Sequence, residues 1–112
     1  MHELAITRNI VAIAGEAARG RPIRTVTIEV GALAGVMADA IAFCFSVVAE
    51  GTPAQGARLD IVAVPGRAHC ADCGADFDTP DLFTSCACGS RRSTRLSGEE
   101  LKIRSIEIEE AD

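Results

Sequence analysis

The chain has 112 residues, of which 48% are hydrophobic and 24% are charged, and its formal net charge is −5. This length is enough for one ordinary domain, or for a small domain with a smaller second one. The negative charge counts against non-specific binding to nucleic acid, which depends on many Lys and Arg contacts to phosphate. The one basic patch, Arg91, Arg92 and Arg95, is most simply a solvated turn. Neither a membrane-spanning apolar run nor the pattern of a signal peptide is found, so we expect a cytoplasmic protein.

The first half of the chain predicts a helix, a strand and a second helix. From Leu4 to Ala18 isoleucines and alanines recur at helical spacing, and Gly20 with Pro22 ends this helix. The stretch IRTVTIEVG alternates apolar and polar residues, as a half-buried strand does. After a glycine-rich loop, Asp39 is a candidate N-cap for AIAFCFSVVAEG, which is apolar on all sides and predicts a largely buried helix. We expect Cys44, inside this helix, to be a small core residue.

Two further strands are predicted, and a segment of different character separates them. RLDIVAVPG predicts a second strand, and EELKIRSIEIEE predicts a third that rejoins the first sheet. In this third strand the parity of the apolar positions slips between residues 103 and 106, which a bulge near residues 104–105 would explain. Residues 67–97, between the two strands, hold too few large apolar side chains for a core of their own. Such a segment needs disulfide bonds or a bound metal ion to remain folded.

Four of the five cysteines form two pairs in this segment, Cys70-x2-Cys73 and Cys86-x-Cys88, and a glycine follows each pair. Two such turns can place four thiolates around one Zn(II) ion, and a site closed by four sulfurs would be structural. Metal binding would then supply the folding free energy that the small core lacks. The second pair is one residue shorter than the usual C-x2-C, so His69 remains an alternative ligand. A redox-active or metal-free insert is the remaining alternative, although no helix N-terminus is predicted there to activate a thiol.

The sequence begins Met1-His2-Glu3, which places an α-amine, a peptide nitrogen and an imidazole close enough to bind one ion. We expect Met1 to be retained, because a bulky residue follows it. Nitrogen and oxygen donors suit Ni(II) or Cu(II), and the Glu3 carboxylate could add an oxygen. Amines and imidazoles of this kind ordinarily titrate near neutrality, so such a site would respond to modest acidification. Taken alone, the three residues are most simply an exposed helix start.

Along its full length the chain resembles the HypA/HybF family of hydrogenase nickel-incorporation proteins. The matching stretches are MHELAIT, VTIEVGALAGV, FCFSVVAEGTPAQGARLDI, CADCG with CACGS, and GEELKIRSIEIEE. The resemblance implies an α+β fold of two parts. A small three-stranded sheet with two helices (residues 1–65 and 99–112) would bind nickel, and an inserted zinc-ribbon-like domain (residues 66–98) would bind zinc.

The resemblance also implies a function, ligands and partners. The family delivers Ni(II) to the large subunit of [NiFe]-hydrogenase during maturation, so the chain would be a metallochaperone and not an enzyme. The Met1 amine and His2 would hold nickel, in some members together with Glu3 and an acidic residue that matches Asp39. A nickel-binding GTPase accessory protein and the hydrogenase large subunit would be its partners, and urease accessory proteins or a second copy of the chain are further candidates. The implied zinc ligands are Cys70, Cys73, Cys88 and, one residue out of the family spacing, Cys86.

Two other functions fit parts of the sequence. A zinc-ribbon module for protein interaction would use the same cysteines and have an inert N-terminus, whereas a nucleic-acid module is disfavoured by the scarcity of aromatic residues. A thiol oxidoreductase would use Cys70 and Cys73. Zinc held by all four cysteines would exclude the oxidoreductase. The substitution His2→Ala separates the other two functions, since it abolishes nickel binding only in a nickel carrier.

Overall fold

The structure is a computed structural model of the chain and describes residues 2–110. The chain divides into two compact units. The first comprises Met1–Glu29, Val36–Val62 and Lys102–Asp112, and the second comprises Val30–Gly35 and Ala63–Leu101. The segment 66–98 that the sequence suggests as an insert lies wholly within this second unit.

Residues 2–110 form two helices and six strands. Both helices and three of the strands lie largely where the sequence patterns suggest, and the other three strands lie in the cysteine-containing segment. In chain order they are α1 (Glu3–Ala17), β1 (Ile23–Gly31), α2 (Ala38–Val48), β2 (Arg58–Val64), β3 (Arg67–Cys70), β4 (Asp76–Asp78), β5 (Ser93–Ser97) and β6 (Leu101–Ile108). One sheet has the strand order β2-β1-β6, so the last strand rejoins the first, as predicted. The predicted α+β class is therefore confirmed. Among the described residues, no helix is both long and apolar enough to cross a membrane.

The core of the first unit is formed by the central strand and one stripe of each helix. Val26 and Ile28 of β1 are completely buried. Helix α1 contributes Ile10, and α2 contributes Ile41 and Phe45, all of which are buried. These side chains recur at the spacings expected for one face of a helix and for a central strand, because each element buries the side that meets the others.

Helix α2 is less buried than its sequence predicts. Its buried residues are Ile41 and Phe45, whereas Phe43 is 76% exposed and Val47 is 60% exposed. In a unit with two helices and one sheet, a helix on the outside has only one stripe to bury, whatever its composition. Cys44, which we expected in the core, is only partly buried for the same reason.

The N-cap of α2 is Met37 rather than Asp39, so this expectation was wrong. Met37 has an extended backbone and a side chain that makes no capping hydrogen bond. Instead, its backbone N–H donates to Oε2 of Glu3, 34 residues earlier in the chain, at 3.0 Å. Asp39 lies in the first helical turn, where its negative charge is favoured by the positive end of the helix dipole.

Burial along β6 follows the slip in parity that its sequence shows. The half-buried positions are Ile103, Ile106 and Ile108, whereas Leu101 is exposed. Odd and even positions of a regular strand face opposite sides, so this burial pattern is the one that a bulge between residues 103 and 106 would produce.

The second unit contains a second, antiparallel three-stranded sheet in the order β4-β3-β5. Ala68 of β3 pairs with Phe77 on one side and with Arg95 on the other. The buried apolar side chains of this sheet region are few and small, and Ala68, Cys70 and Cys86 are among them. This agrees with the prediction that the segment is too poor in apolar residues to form a large core.

Three glycines pack closely within the second unit. A Cβ atom on Gly31 would overlap the carbonyl group of Gly98, and one on Gly98 would lie 2.7 Å from the Cα of Gly66. The backbone N–H of Leu33 donates to the Gly98 oxygen at 2.6 Å. These contacts are why the short segment after β1 belongs to the same unit as the cysteine-containing strands, and they require the absence of side chains at all three positions.

Candidate metal centres

The four cysteines of the second unit converge on one point. Their Sγ atoms all lie within 4.8 Å of one another, with 3.7 Å between Cys70 and Cys88 and 3.5 Å between Cys73 and Cys86. Four sulfurs placed tetrahedrally at about 2.3 Å from a zinc ion are about 3.8 Å apart. The observed sulfur spacing therefore fits a single tetrahedral zinc ion, including the cysteine of the shortened C-x-C pair.

Both cysteine pairs lie on tight turns that end in a glycine. The N–H of Gly74 donates to the Cys70 carbonyl at 3.0 Å, and the N–H of Gly89 donates to the Cys86 carbonyl at 2.9 Å. Both glycines have a positive φ, 77° and 91°, which a residue with a Cβ adopts only at a cost. In the first turn the N–H of Cys73 also points at the sulfur of Cys70, at 3.4 Å. The backbone thus aims the thiols inward before any metal is considered.

Polar contacts join the two turns to each other. The hydroxyl of Ser90 donates to the carboxylate of Asp72, and the Arg92 guanidinium lies 3.2 Å from the other oxygen of the same carboxylate. The N–H of Ala71 donates to the Arg92 carbonyl at 2.8 Å. These bonds hold the turn of the first pair against the segment that follows the second pair, so they fix the separation of the sulfurs.

The thiols of this cluster differ in proton affinity. The backbone N–H of Cys73 donates to Cys70 and lowers the pKa of that thiol to about 6. At Cys88 a backbone hydrogen bond from Ser90 acts in the lowering direction, but the neighbouring thiols, Cys86 first, outweigh it and raise the pKa to about 12. A thiolate therefore forms readily at one position and opposes ionisation of its neighbours.

The pKa of the Cys73 thiol is raised, like that of Cys88. A backbone hydrogen bond from Ala75 lowers its pKa, and the adjacent Cys86 and Cys70 thiols raise it by more. A divalent cation at the centre removes the mutual repulsion, because each sulfur then faces positive charge. The donor set thus matches the chemistry of a zinc ion, which binds thiolates and displaces their protons.

His69 does not join the sulfur cluster. Its Nδ1 lies 2.6 Å from Oδ1 of Asp76, and both side chains are about half exposed. Among residues 2–110, the group of side chains that could hold a metal consists of cysteines alone. The structure therefore brings the four cysteines together and leaves the alternative ligand outside.

At the amino terminus, His2 is exposed and occupies the N-cap position of α1. Its carbonyl oxygen accepts the first helical hydrogen bond, from the N–H of Ile6 at 2.9 Å. Met1, whose amine is the first nickel ligand that the resemblance implies, lies outside the described residues. In the part of the chain that is described, His2, Glu3 and Asp39 do not form a ready-made group of metal ligands.

The starts of the two helices nevertheless meet at this end of the first unit. The hydrogen bond from Met37 to Glu3 joins them, and Asp39 follows two residues after Met37. A cavity of about 470 Å³ opens beside His2, and its lining includes Arg8, Ala40 and Cys44. Of the residues described, His2, Glu3 and Asp39 thus lie at the starts of two neighbouring helices, and they are not arranged around one point.

Cys44 is the residue of this region that sequence reasoning placed wrongly. It lines the cavity beside His2 instead of filling the core. Its separation of four residues from Ala40 puts both on one face of α2, and this spacing was the available signal.

Comparison with known proteins agrees with these features. The family described as "Hydrogenase/urease nickel incorporation, metallochaperone, hypA" matches residues 1–108. Hydrogenase maturation factor HypA of Trichormus variabilis is 49% identical over 110 residues, which cover 98% of this chain and 97% of that protein. The same factor of Geobacter metallireducens is 44% identical over 110 residues, covering 97% and 100%.

A solved structure supports the fold. The solution structure of the Ni metallochaperone HypA from Helicobacter pylori superposes with a TM-score of 0.70 at 24% identity, over 96% of this chain and 97% of that one. This likeness concerns the architecture, which it confirms as that of HypA structures. The full-length family match and the closely similar relatives establish the rest: the chain belongs to the HypA family of nickel-incorporation metallochaperones.

Proposed function

We propose that this chain carries Ni(II) as cargo at its amino terminus and delivers it to the large subunit of [NiFe]-hydrogenase during maturation. The observation that carries the proposal is the family match over residues 1–108, together with relatives that are named hydrogenase maturation factors. The protein would act by transferring an ion and would not be an enzyme. It would work in the cytoplasm, where cysteines remain reduced and available to a metal.

The nickel ligands in this proposal are the Met1 amine, the His2 backbone and imidazole, and the Glu3 and Asp39 carboxylates. The exposure of His2 supports it, since an incoming ion and a partner can both reach the imidazole. The hydrogen bond between Glu3 and Met37 supports a place for Asp39, because it ties the start of α2 to the start of α1. Glu3 would exchange this hydrogen bond for the ion when it ligates.

Release of nickel would be possible because its proposed nitrogen and oxygen ligands are different residues from the cysteines that would hold zinc. Thiolates are soft ligands that would compete for nickel, and four of them are gathered elsewhere in a geometry that suits zinc. With the sulfurs occupied, nickel is left to nitrogen and oxygen donors at an exposed chain end. A partner that offers better ligands can then take the ion by exchange.

Zinc would be held by Cys70, Cys73, Cys86 and Cys88 and would be structural. The small size of the buried side chains around the cluster supports this role, because the second sheet has little apolar surface to stabilise it. In this proposal, residues 1–65 and 99–112 form the nickel-binding domain, and residues 66–98 form the zinc-binding domain.

The partners in this proposal are a nickel-binding GTPase accessory protein and the hydrogenase large subunit. The family description also names urease, so urease accessory proteins are a second class of partner. A homodimer is a further state to test by sedimentation. These partners rest on the family relationship.

The decisive experiment is a calorimetric nickel titration of the untagged, zinc-loaded protein beside two altered versions. The substitution His2→Ala and the addition of one residue before Met1 should each weaken nickel binding by at least about tenfold, which is about 1.4 kcal/mol. His69→Ala is a matched control, because the chain has two histidines and this one lies in the other unit. If the extended protein binds nickel as the native one does, the amine is not a ligand.

The pH response is a second test of the same site. Nitrogen ligands must be unprotonated to bind, so nickel affinity should fall as the pH decreases through about 6.5, where an ordinary histidine gains its proton. We also predict that the two metal sites are coupled, so titration in zinc-loaded and zinc-free protein should give different nickel affinities. Identical nickel affinities and pH responses in the two forms would show that they are independent.

A further inference from the structure

A groove on the second unit has no part in the proposed metal sites. Its volume is about 680 Å³, and it is lined by the turn at residues 82–85 and by Arg91, Ser93, Arg95 and Glu99. Two large apolar side chains stand at this groove in solvent: Phe83 is 90% exposed and Leu82 is 56% exposed. Contiguous exposed apolar surface is typical of sites that bind another molecule.

The turn that carries these two side chains is held in place by a buttressing carboxylate. Oδ1 of Asp81 accepts a hydrogen bond from the Phe83 N–H at 2.8 Å and one from the Thr84 hydroxyl at 2.9 Å. These bonds, the backbone one most strongly, lower the pKa of Asp81 and keep it charged. Because the turn is fixed, Leu82 and Phe83 are displayed rather than collapsed, and a partner does not have to order them on binding.

The charged side chains that line the groove, Arg91, Arg95 and Glu99, are positive in sum, whereas the chain as a whole is negative. Arg95 is paired with Glu99 at 3.2 Å, but Arg91 makes no ion pair within the part of the chain that the structure describes. The chain as a whole carries a net charge of −5. An unpaired guanidinium beside apolar side chains is suited to a carboxylate, which it can bind through two parallel hydrogen bonds.

We propose that this groove docks an acidic segment of a partner protein, with a carboxylate on Arg91 and an apolar side chain against Leu82 and Phe83. Strand β5, which contributes Ser93 and Arg95, is an edge strand in the described order β4-β3-β5. An extended segment can therefore lie along it and use its main-chain groups. The proposal does not rest on nickel binding, since none of these residues is an implied metal ligand.

Single-stranded nucleic acid also offers negative charge and flat apolar groups, but it fits this groove less well. Such binding needs a track of cations along the backbone and several aromatic side chains on which bases stack. The groove offers one unpaired arginine and one aromatic ring. The acidic protein segment is thus the favoured occupant.

The test uses the zinc-loaded full chain and a fluorescein-labelled peptide of Asp-Phe-Glu-Ser repeated three times. Anisotropy should show it binding at least about tenfold more tightly than the same peptide with Lys in place of Asp and Glu. Arg91→Glu and Phe83→Ser should each weaken binding by about tenfold. Arg21→Glu and Phe43→Ser, an exposed arginine and an exposed phenylalanine of the first unit, are matched controls that should leave it unchanged.

A second measurement needs no variant: in NMR titration of the native protein, the acidic peptide should shift the amides of residues 82–85 and 91–95. Shifts confined to other residues would overturn the proposal, as would undiminished binding by Arg91→Glu. If Phe43→Ser weakened peptide binding as much as Phe83→Ser does, the binding would not be specific to this groove and the proposal would be wrong. Tighter binding of a 12-nucleotide oligothymidine than of the peptide would make the groove a nucleic-acid site.

Discussion

The substitution Gly31→Ala tests the closest packing in the second unit. The new Cβ would overlap the carbonyl group of Gly98 and would lie 2.7 Å from the backbone nitrogen of Glu99. Non-bonded heavy atoms pack at about 3.5 Å or more, so the backbone at residues 98–99 has to move by more than about 1 Å to clear the Gly98 carbonyl. Backbone cannot rotate away as a flexible side chain does, and the displacement must be shared by the strands on either side.

The cost of this displacement can be worked out from the bonds that it breaks. The N–H of Gly31 donates to the Glu100 carbonyl at 2.7 Å, and the N–H of Leu33 donates to the Gly98 carbonyl at 2.6 Å. Two backbone hydrogen bonds at about 1 kcal/mol each and an overpacking cost of about 1–3 kcal/mol lower the free energy of unfolding by about 3–5 kcal/mol. This is a large part of the stability of an ordinary domain, about 5–15 kcal/mol.

Urea unfolding of the zinc-loaded protein at a fixed free-zinc concentration, followed by circular dichroism, measures this effect. Gly15→Ala is the matched control, because its Cβ would meet only the Pro53 ring at an ordinary 3.7 Å. Since Gly15 lies within α1, alanine there should be neutral or stabilising by up to about 1 kcal/mol. If Gly31→Ala unfolds within about 0.5 kcal/mol of the native protein, the inferred clash with the Gly98 carbonyl is wrong.

The remaining predictions concern the candidate metal centres. Zinc affinity, measured by competition with a chromophoric chelator, should fall at least about 100-fold from pH 8 to pH 7, because Cys73 and Cys88 with their raised pKa values must each give up a proton; a flat profile would contradict this. Cys86→Ser should weaken zinc binding in the same assay, and an unchanged affinity would exclude that sulfur as a ligand. Glu3→Gln should preserve the start of α2, since an amide oxygen still accepts the Met37 N–H, whereas Glu3→Ala should speed hydrogen exchange at Met37; equal exchange in both would refute the capping role.

Local periodicity is enough to predict most elements of the first unit. The alternation in IRTVTIEVG matches β1 in its full extent, and the helical spacing after Leu4 predicts α1 to within one residue at each end. These patterns can be recognised in the sequence because a helix or strand that packs on one side must repeat its apolar residues at its own period. The return of β6 to the first sheet was predictable for the same reason.

Two predictions about α2, its N-cap and its burial, were wrong because both depend on contacts between distant parts of the chain. Asp39 carries the chemistry of a cap, but the N-cap lies two residues earlier at Met37, whose N–H donates to the Glu3 carboxylate of the other helix. The apolar pattern of α2 gave no sign that Phe43 and Val47 would face solvent, since burial depends on how many elements surround a helix. A single sequence does not contain that number explicitly.

The strands of the second unit were missed for a different reason. β4 and β5 are three and five residues long and mainly polar, so they have neither the length nor the alternation of a recognisable strand. The cysteine spacing predicted the cluster itself, because chain connectivity limits where two paired turns can place their sulfurs. The convergence of the C-x-C pair depends on the turn hydrogen bonds, which are visible only in three dimensions.

The contacts of the segment after β1 also bear on the order in which the chain folds. Adjacent residues Gly31 and Ala32 bind the carbonyls of Glu100 and Val64, so the two ends of the segment between β2 and β6 lie near each other. Pairing β6 with β1 in a disordered chain would close a loop of some seventy residues, which is slow. If strands β3 to β5 form first around a zinc ion, the part of that loop from residue 67 to residue 97 is already closed. We therefore expect zinc to accelerate completion of the other sheet, so that a chain made without zinc would remain longer as an open, aggregation-prone intermediate.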